Sequence, residues 1–212
     1  MQRTISFRFL IAFIGWIAVL PISAHAACRQ ALAIGLDISG SVDAIEYRLQ
    51  IDGLAGALDS QNVREALLAI PSAPVRLFVY EWGGVGTQRA LVNWTTIGDA
   101  TVLQGVVAKL RSTPKRSREV ATALGQAMVY GNRELAAQSD CWRLTLDLSG
   151  DGESNKGVQP SDVRDTMVPG LTVNEIVIGA DAVAFSDPTK SEIAQLLAYF
   201  GAEVIRGPQA FV

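Results

Sequence analysis

The chain has 212 residues, 49% of them hydrophobic, with 18 Lys and Arg against 21 Asp and Glu, two cysteines and one histidine. That length holds one good-sized domain, and the acidic balance gives no electrostatic reason to expect nucleic acid as a partner. The single histidine, His25, lies in an N-terminal segment expected to be removed, which excludes Ser-His-Asp, Cys-His and zinc-histidine chemistries from the mature chain.

Residues 1–26 read as a signal peptide. Arg3 and Arg8 form a basic start, Phe9 to Ile22 is apolar except for Gly15 and Pro21, and Ala24-His25-Ala26 is an A-x-A cleavage site. The apolar stretch is shorter than the roughly 20 residues needed to span a bilayer, so cleavage is favoured over anchoring. Losing Arg3 and Arg8 leaves 16 basic against 21 acidic residues, a net charge of −5. The protein is therefore expected in the periplasm or secreted. Cys28 and Cys141 both stand just ahead of apolar strand-like runs, and in an oxidising compartment they are expected to form a disulfide joining the starts of neighbouring strands. A lipoprotein reading of Cys28 is weakened by His25 three positions before it. Two thiols are too few for a zinc or iron–sulfur cluster.

Beyond the signal, strand-like and helix-like segments alternate. Ala31 to Asp37 reads as a buried strand, and Val42 to Leu58 as an amphipathic helix with Ile45, Leu49, Leu54 and Leu58 near helical spacing. Val75 to Trp82 is a second strand, and Gly83-Gly84-Val85-Gly86 turns it into a third, Ala90 to Thr95, as an antiparallel hairpin. Helices follow over Thr101 to Leu110 and Glu119 to Ala137, then a strand over Trp142 to Ser149. A helix (Ser161 to Val168), a strand (Val173 to Gly179), a helix (Ser191 to Phe200) and a short strand (Glu203 to Ile205) complete the order. The pattern predicts one α/β domain over 27–212: doubly wound, mainly parallel, with one antiparallel edge strand and helices on both faces. Ligands of such sheets bind outside the carboxyl ends of the strands.

Two strand ends carry chemistry. Asp37, Ser39 and Ser41 alternate where the first strand stops, so an extended segment presents one carboxylate and two hydroxyls to one side. Hard oxygens on a small loop suit Mg²⁺. The plain alternative is that they cap the helix that begins straight after. The second end is Ser149-Gly150-Asp151-Gly152. Asp147-x-Ser149-x-Asp151-Gly152 echoes a calcium loop, but Val158 stands where its twelfth, acidic residue belongs. Thr122, opening Ala121-Thr122-Ala123-Leu124-Gly125-Gln126-Ala127, is unremarkable alone.

Together Asp37, Ser39, Ser41, Thr122 and Asp151 resemble, in order and on the expected elements, the metal-ion-dependent adhesion site (MIDAS) of von Willebrand factor A-type domains. Glu81-Trp82-Gly83-Gly84, Gln88, Val92 to Thr95, Ser149 to Gly152 and Gly207-Pro208-x-Ala210-Phe211-Val212 extend the resemblance to a bacterial family of secreted, single-domain A-type proteins. The resemblance implies that Ser39 and Ser41 bind Mg²⁺ (with Mn²⁺ or Ca²⁺ as alternatives) directly. Thr122 would bind directly or through water, and Asp37 and Asp151 largely through water. Asp147 stays open as the alternative acidic ligand. Neutral hydroxyls leave the ion short of negative charge, and the family fills its sixth position with an Asp or Glu carboxylate of a partner protein.

The basic stretch Lys109, Arg111, Lys115, Arg116 and Arg118 reads as a solvated loop that also suits steering of an acidic partner. Trp82, Trp94 and Trp142 read as core or as covers of strand ends. The sequence thus predicts an exported metal-dependent protein-binding module without catalysis. One alternative is a scaffold that binds no metal, supported by Val120-Ala121 where relatives carry glycines and by a chain expected to lack the fold's last helix after Val212. The other is a metal-dependent phosphotransferase or hydrolase with Asp37 as nucleophile, although Ser39 stands where such enzymes carry a second aspartate.

Overall fold

The computed structural model describes residues 27–114, 121–178 and 192–212. The expected signal segment lies outside these residues, as do Lys115, Arg116, Arg118, Val120, Gly179 and Ser191. In chain order the elements are β1 (Gln30–Asp37), α1 (Ala44–Asp59), α2 (Gln61–Leu68), β2 (Val75–Trp82), β3 (Arg89–Ile97), α3 (Ala100–Arg111), α4 (Leu124–Ala136), β4 (Leu144–Gly150), α5 (Pro160–Arg164), β5 (Leu171–Val177) and α6 (Glu192–Glu203).

The five strands form one sheet in the order β3-β2-β1-β4-β5. Neighbours are parallel except the β2–β3 hairpin, which supplies the antiparallel edge. This is the predicted doubly wound α/β architecture. Asp37 pairs with Trp82, and Gly35 with both Tyr80 and Leu148, so the carboxyl ends of β1, β2 and β4 emerge at one edge. Cys28 and Cys141 form the expected disulfide, on a parallel bridge just ahead of β1 and β4.

One face packs α4 and α6 through Leu124, Met128, Leu135 and Phe200 onto Tyr80, Trp82, Leu146, Leu148 and Val173. The other packs α1 and α3 through Tyr47, Ile51, Leu103 and Leu110 onto Leu77, Val79 and Val92. Each large apolar side chain fully buried in these layers contributes about 1.5–3 kcal/mol. Two close approaches need glycine. A Cβ on Gly35 would lie 2.7 Å from both Leu148 Cδ2 and Tyr80 Cζ, and one on Gly125 would lie 2.1 Å from the carbonyl oxygen of Val158. The second fixes α4 against the loop that follows β4.

Several local expectations need correction. Of the four apolar residues spaced along α1, Leu58 is buried and Leu54 half-buried, but Ile45 and Leu49 are 70% and 67% exposed, because the helix turns Tyr47, Ile51 and Ala55 inward instead. The short α2 was not expected, since its segment Gln-Asn-Val-Arg-Glu-Ala-Leu-Leu buries only Leu67. Within the described residues helix α4 begins at Leu124, so Thr122 sits in the approach to the helix rather than in its first turn. No strand forms over 203–205, where α6 runs to Glu203 and only Arg206 bridges to Val173. Trp82 is core, as expected, but Trp142 is 64% exposed.

Candidate functional site

β1 delivers Asp37 to the sheet's carboxyl edge, where it is 1% exposed. The chain then turns sharply. Ile38 N donates to the Trp82 carbonyl (2.8 Å), and Ser39 N donates to Asp37 Oδ1 (2.6 Å). Asp37 Oδ2 is buried with no hydrogen-bond partner among the described residues. Ser39 is fully buried, and its hydroxyl lies 3.3 Å from that of Ser41. Ser41 Oγ in turn donates to Asp151 Oδ1 at 2.7 Å. Four of the five candidate residues are therefore linked directly, from the end of β1 to the end of β4.

Helix capping does not account for them. The cap of α1 is Asp43, whose Oδ1 accepts from the amides of Ile45 and Glu46 while Glu46 Oε2 accepts from Asp43 N, a complete capping box. None of Asp37, Ser39 and Ser41 makes this cap.

Thr122 reaches the same edge by a different route. It is 7% exposed; its amide donates to Asn155 Oδ1 (3.0 Å) and its carbonyl accepts from Asn155 N (2.9 Å) and Lys156 N (3.2 Å). Ala123 N donates to the Gly83 carbonyl (2.7 Å). The loops after β2 and β4 thus hold the Thr122 segment in place. Of the two aspartates near the end of β4, Asp151 touches the serine loop, whereas Asp147 Oδ1 accepts from Asn174 Nδ2 (2.7 Å) inside the sheet.

Three supporting residues were not singled out from the sequence. Gln50 on α1 donates through Nε2 to the Asp37 carbonyl (3.2 Å) and accepts from Ser149 Oγ (3.2 Å), tying helix to site. Its placement a helical turn from buried Tyr47 and next to Ile51 was the available signal. Asn155 anchors Thr122. Glu175 on β5, a charge inside the apolar run Leu171–Val177, is wholly buried, and neither carboxyl oxygen has a partner among the described residues.

Electrostatically this is a site under tension. Burial pushes the Asp37 carboxyl up to about 7; the Ser39 amide opposes the shift and the Asp151 charge adds to it. Burial also raises Glu175 well above the usual carboxylate range, with Asp37 and Asp147 adding to the effect. Among the described residues no group of three or more His, Cys, Asp or Glu is placed to hold a metal. The donors on offer are hydroxyls with two carboxylates. That set fits a small hard cation, and the orphaned Asp37 Oδ2 is the atom such a cation, or its water, would satisfy.

A doubly wound sheet with one antiparallel edge is the fold of von Willebrand factor A-type domains. Solved structures with this fold include proximal thread matrix protein 1 from the mussel byssus, with 16% identity and a TM-score of 0.56 over 73% of this chain and 39% of that one. The pilus adhesin SpaC of Lactobacillus rhamnosus GG gives 13% and 0.59 over 88% and 28%, and a von Willebrand factor type A protein of Catenulispora acidiphila gives 16% and 0.52 over 72% and 34%. The chain thus spans less than two-fifths of each of these proteins. The byssus protein has also been solved with a zinc-occupied MIDAS motif (15% identity, TM-score 0.54, covering 73% and 37%). A search of curated proteins gives no match. Over residues 27–212 the chain belongs to the family described as "Protein of unknown function (DUF1194)".

Proposed function

We propose that this chain is an exported, metal-ion-dependent protein-binding module without catalysis of its own. Asp37, Ser39, Ser41, Thr122 and Asp151 would hold Mg²⁺, with Mn²⁺ or Ca²⁺ as alternatives, and an Asp or Glu of the partner would complete the coordination. The observation that carries this reading is the buried, unpartnered Asp37 Oδ2 beside the Ser39–Ser41–Asp151 chain of oxygens. The zinc-occupied MIDAS of the byssus protein supports the capacity of such a loop set for divalent metal. Two carboxylates at most balance a divalent charge, and hydroxyls add none, so an anionic outside ligand remains favourable.

Asp37 is poorly suited to nucleophilic attack, being 1% exposed with Oδ1 engaged by the Ser39 amide. Export is supported by the Cys28–Cys141 disulfide and by the signal-like sequence of residues 1–26. No helix among the described residues is long and apolar enough to cross a membrane. Lys109 and Arg111, in the last turn of α3, belong to the basic stretch that would favour acidic partners.

Calorimetric titration of Mg²⁺ and Mn²⁺ into residues 27–212, wild type beside Asp37→Ala, tests the reading. Saturable binding that disappears in the variant is expected. No binding by folded wild-type protein would leave the scaffold alternative. Metal-dependent phosphatase activity lost in Asp37→Asn would replace the module with an enzyme.

A further inference from the structure

Among the described residues, the core layer under α1 and α3 takes its sheet residues from β1, β2 and β3 and none from β4 or β5. A groove of about 300 Å³ runs beside α1 with Ile34, Leu54 and Ile176 among its lining. Its α1 wall is Leu49, Gly53 and Ala57, spaced four apart and so on one stripe of the helix. Leu49 and Ile176 are 67% and 52% exposed, a large apolar surface to leave in water. A Cβ on Gly53 would meet nothing within 4 Å, so a second backbone can approach α1 closely here.

One charge interrupts this apolar lining. Asp147 lines the groove, accepts a hydrogen bond from Asn174, and has no cationic partner among the described residues. Burial holds its carboxyl above the usual range, as expected of an acid that lacks a counter-charge. A half-buried carboxylate in an apolar channel repels fatty-acid headgroups and acidic peptides and is stabilised by a cation delivered with apolar surface on either side.

We propose that this groove receives an amphipathic α-helix of a partner protein, whose apolar stripe lies along Leu49, Gly53, Ala57 and Ile176 and carries one Lys or Arg opposite Asp147. The docking uses none of Asp37, Ser39, Ser41, Thr122 and Asp151, the residues proposed to hold the metal; Asp147, the alternative acidic ligand by sequence, is held by Asn174 instead. Helix-in-groove recognition by a stripe of apolar anchors is a common mode, and the single charge sets register.

The test uses three synthetic 18-residue helical peptides with one Leu/Ala stripe and Lys, Leu or Glu at its central position, titrated by fluorescence anisotropy into the full chain. The Lys peptide is expected to bind at least tenfold more tightly than the Glu peptide, with Leu between them. Asp147→Asn, which keeps the oxygen that accepts from Asn174, is expected to bring the three within about threefold. Gly53→Trp fills the groove from an exposed helix position and is expected to abolish binding of all three while circular dichroism shows an unchanged fold. Absent binding of the Lys peptide, equal affinity for Lys and Glu, or binding that survives Gly53→Trp would overturn the proposal. A wild-type dimer in sedimentation that Gly53→Trp dissociates would also overturn it, giving the groove to a second copy.

Discussion

Asp37 at the end of β1 and Glu175 in β5 are buried to the same degree, 1% and 0% exposed, and burial raises the pKa of both. Their surroundings differ. Asp37 has the Ser39 amide on one oxygen, two serine hydroxyls nearby, and a second carboxylate held by Ser41. Glu175 has no hydrogen-bond partner for either oxygen among the described residues; the neighbours recorded where a Cβ on Gly150 would sit are its own Oε1, Phe200 and Trp82. A buried acid among convergent oxygens is arranged to receive something positive. A buried acid among aromatic rings costs stability and is most comfortable neutral.

The largest expected effect separates the two directly. Asp37→Asn should lower Mg²⁺ affinity by about 100-fold, the upper end of the roughly 10–100-fold typical of outer-shell changes, because it removes a full negative charge beside the ion. Glu175→Gln should leave the affinity within about threefold. Isothermal titration of both variants decides it, and a comparable loss in Glu175→Gln would erase the distinction.

Stability should show the reverse contrast. The folded-state pKa of Glu175 lies above its ordinary value, so folding favours its protonated form; the resulting stability is present at low pH and is lost as pH rises towards the folded value. Glu175→Gln removes the charge that must otherwise be buried. At pH 8 it should raise stability by about 2 kcal/mol, or roughly 4–8 °C in Tm for a domain of this size, and by much less at pH 5. Thermal melts of metal-free protein at the two pH values check it. An equal gain at both would mean that packing, not charge, sets the difference.

Asp37 itself titrates within reach of ordinary buffers. With a folded value of about 7 against an ordinary 3.8, the metal-free protein should lose stability from this group as pH climbs from about 4 to 7. Metal needs the carboxylate, so proton and ion compete, and apparent Mg²⁺ affinity should fall about tenfold per pH unit below 7. Calorimetry at pH 5.5, 6.5 and 7.5 reads that slope, and a flat profile would place Asp37 outside the metal's reach.

How much of this was legible in the sequence follows from what each signal depends on. Apolar runs of seven or eight residues bounded by Gly, Pro or Asp gave β2 to the residue and β1 to within one, because a strand buried on both faces needs no partner to declare itself. The Asp37-x-Ser39-x-Ser41 spacing was equally local. The face of α1 was not: Ile45 and Leu49 share helical spacing with one another as well as Tyr47 and Ile51 do, and only the sheet decides which stripe is buried. Thr122 looked helical because alanine and leucine follow it, but its amide and carbonyl are claimed by Asn155 and Lys156, more than 30 residues away. Glu175 shows the same limit from the other side. Nothing in Leu-Thr-Val-Asn-Glu-Ile-Val says that its carboxyl is buried near Asp37 rather than at the solvent edge, and the consequence appears only when β5 pairs with β4.

The smallest expected effect bears on why Asp37 needs its neighbours. Ser41 is the joint between the two acidic ends of the site, since its hydroxyl is 3.3 Å from Ser39 and donates to Asp151. Ser41 itself is exposed, so Ser41→Ala should cost under about 1 kcal/mol of metal-free stability, the ordinary net value of one hydrogen bond. It deletes one neutral donor and frees Asp151 without touching the charge at Asp37, so Mg²⁺ affinity should fall only about three- to tenfold. If Ser41→Ala instead matched Asp37→Asn, the hydroxyls rather than the buried carboxylate would carry the affinity. Asp37 would then share the standing of Glu175, an acid whose burial costs stability and holds nothing.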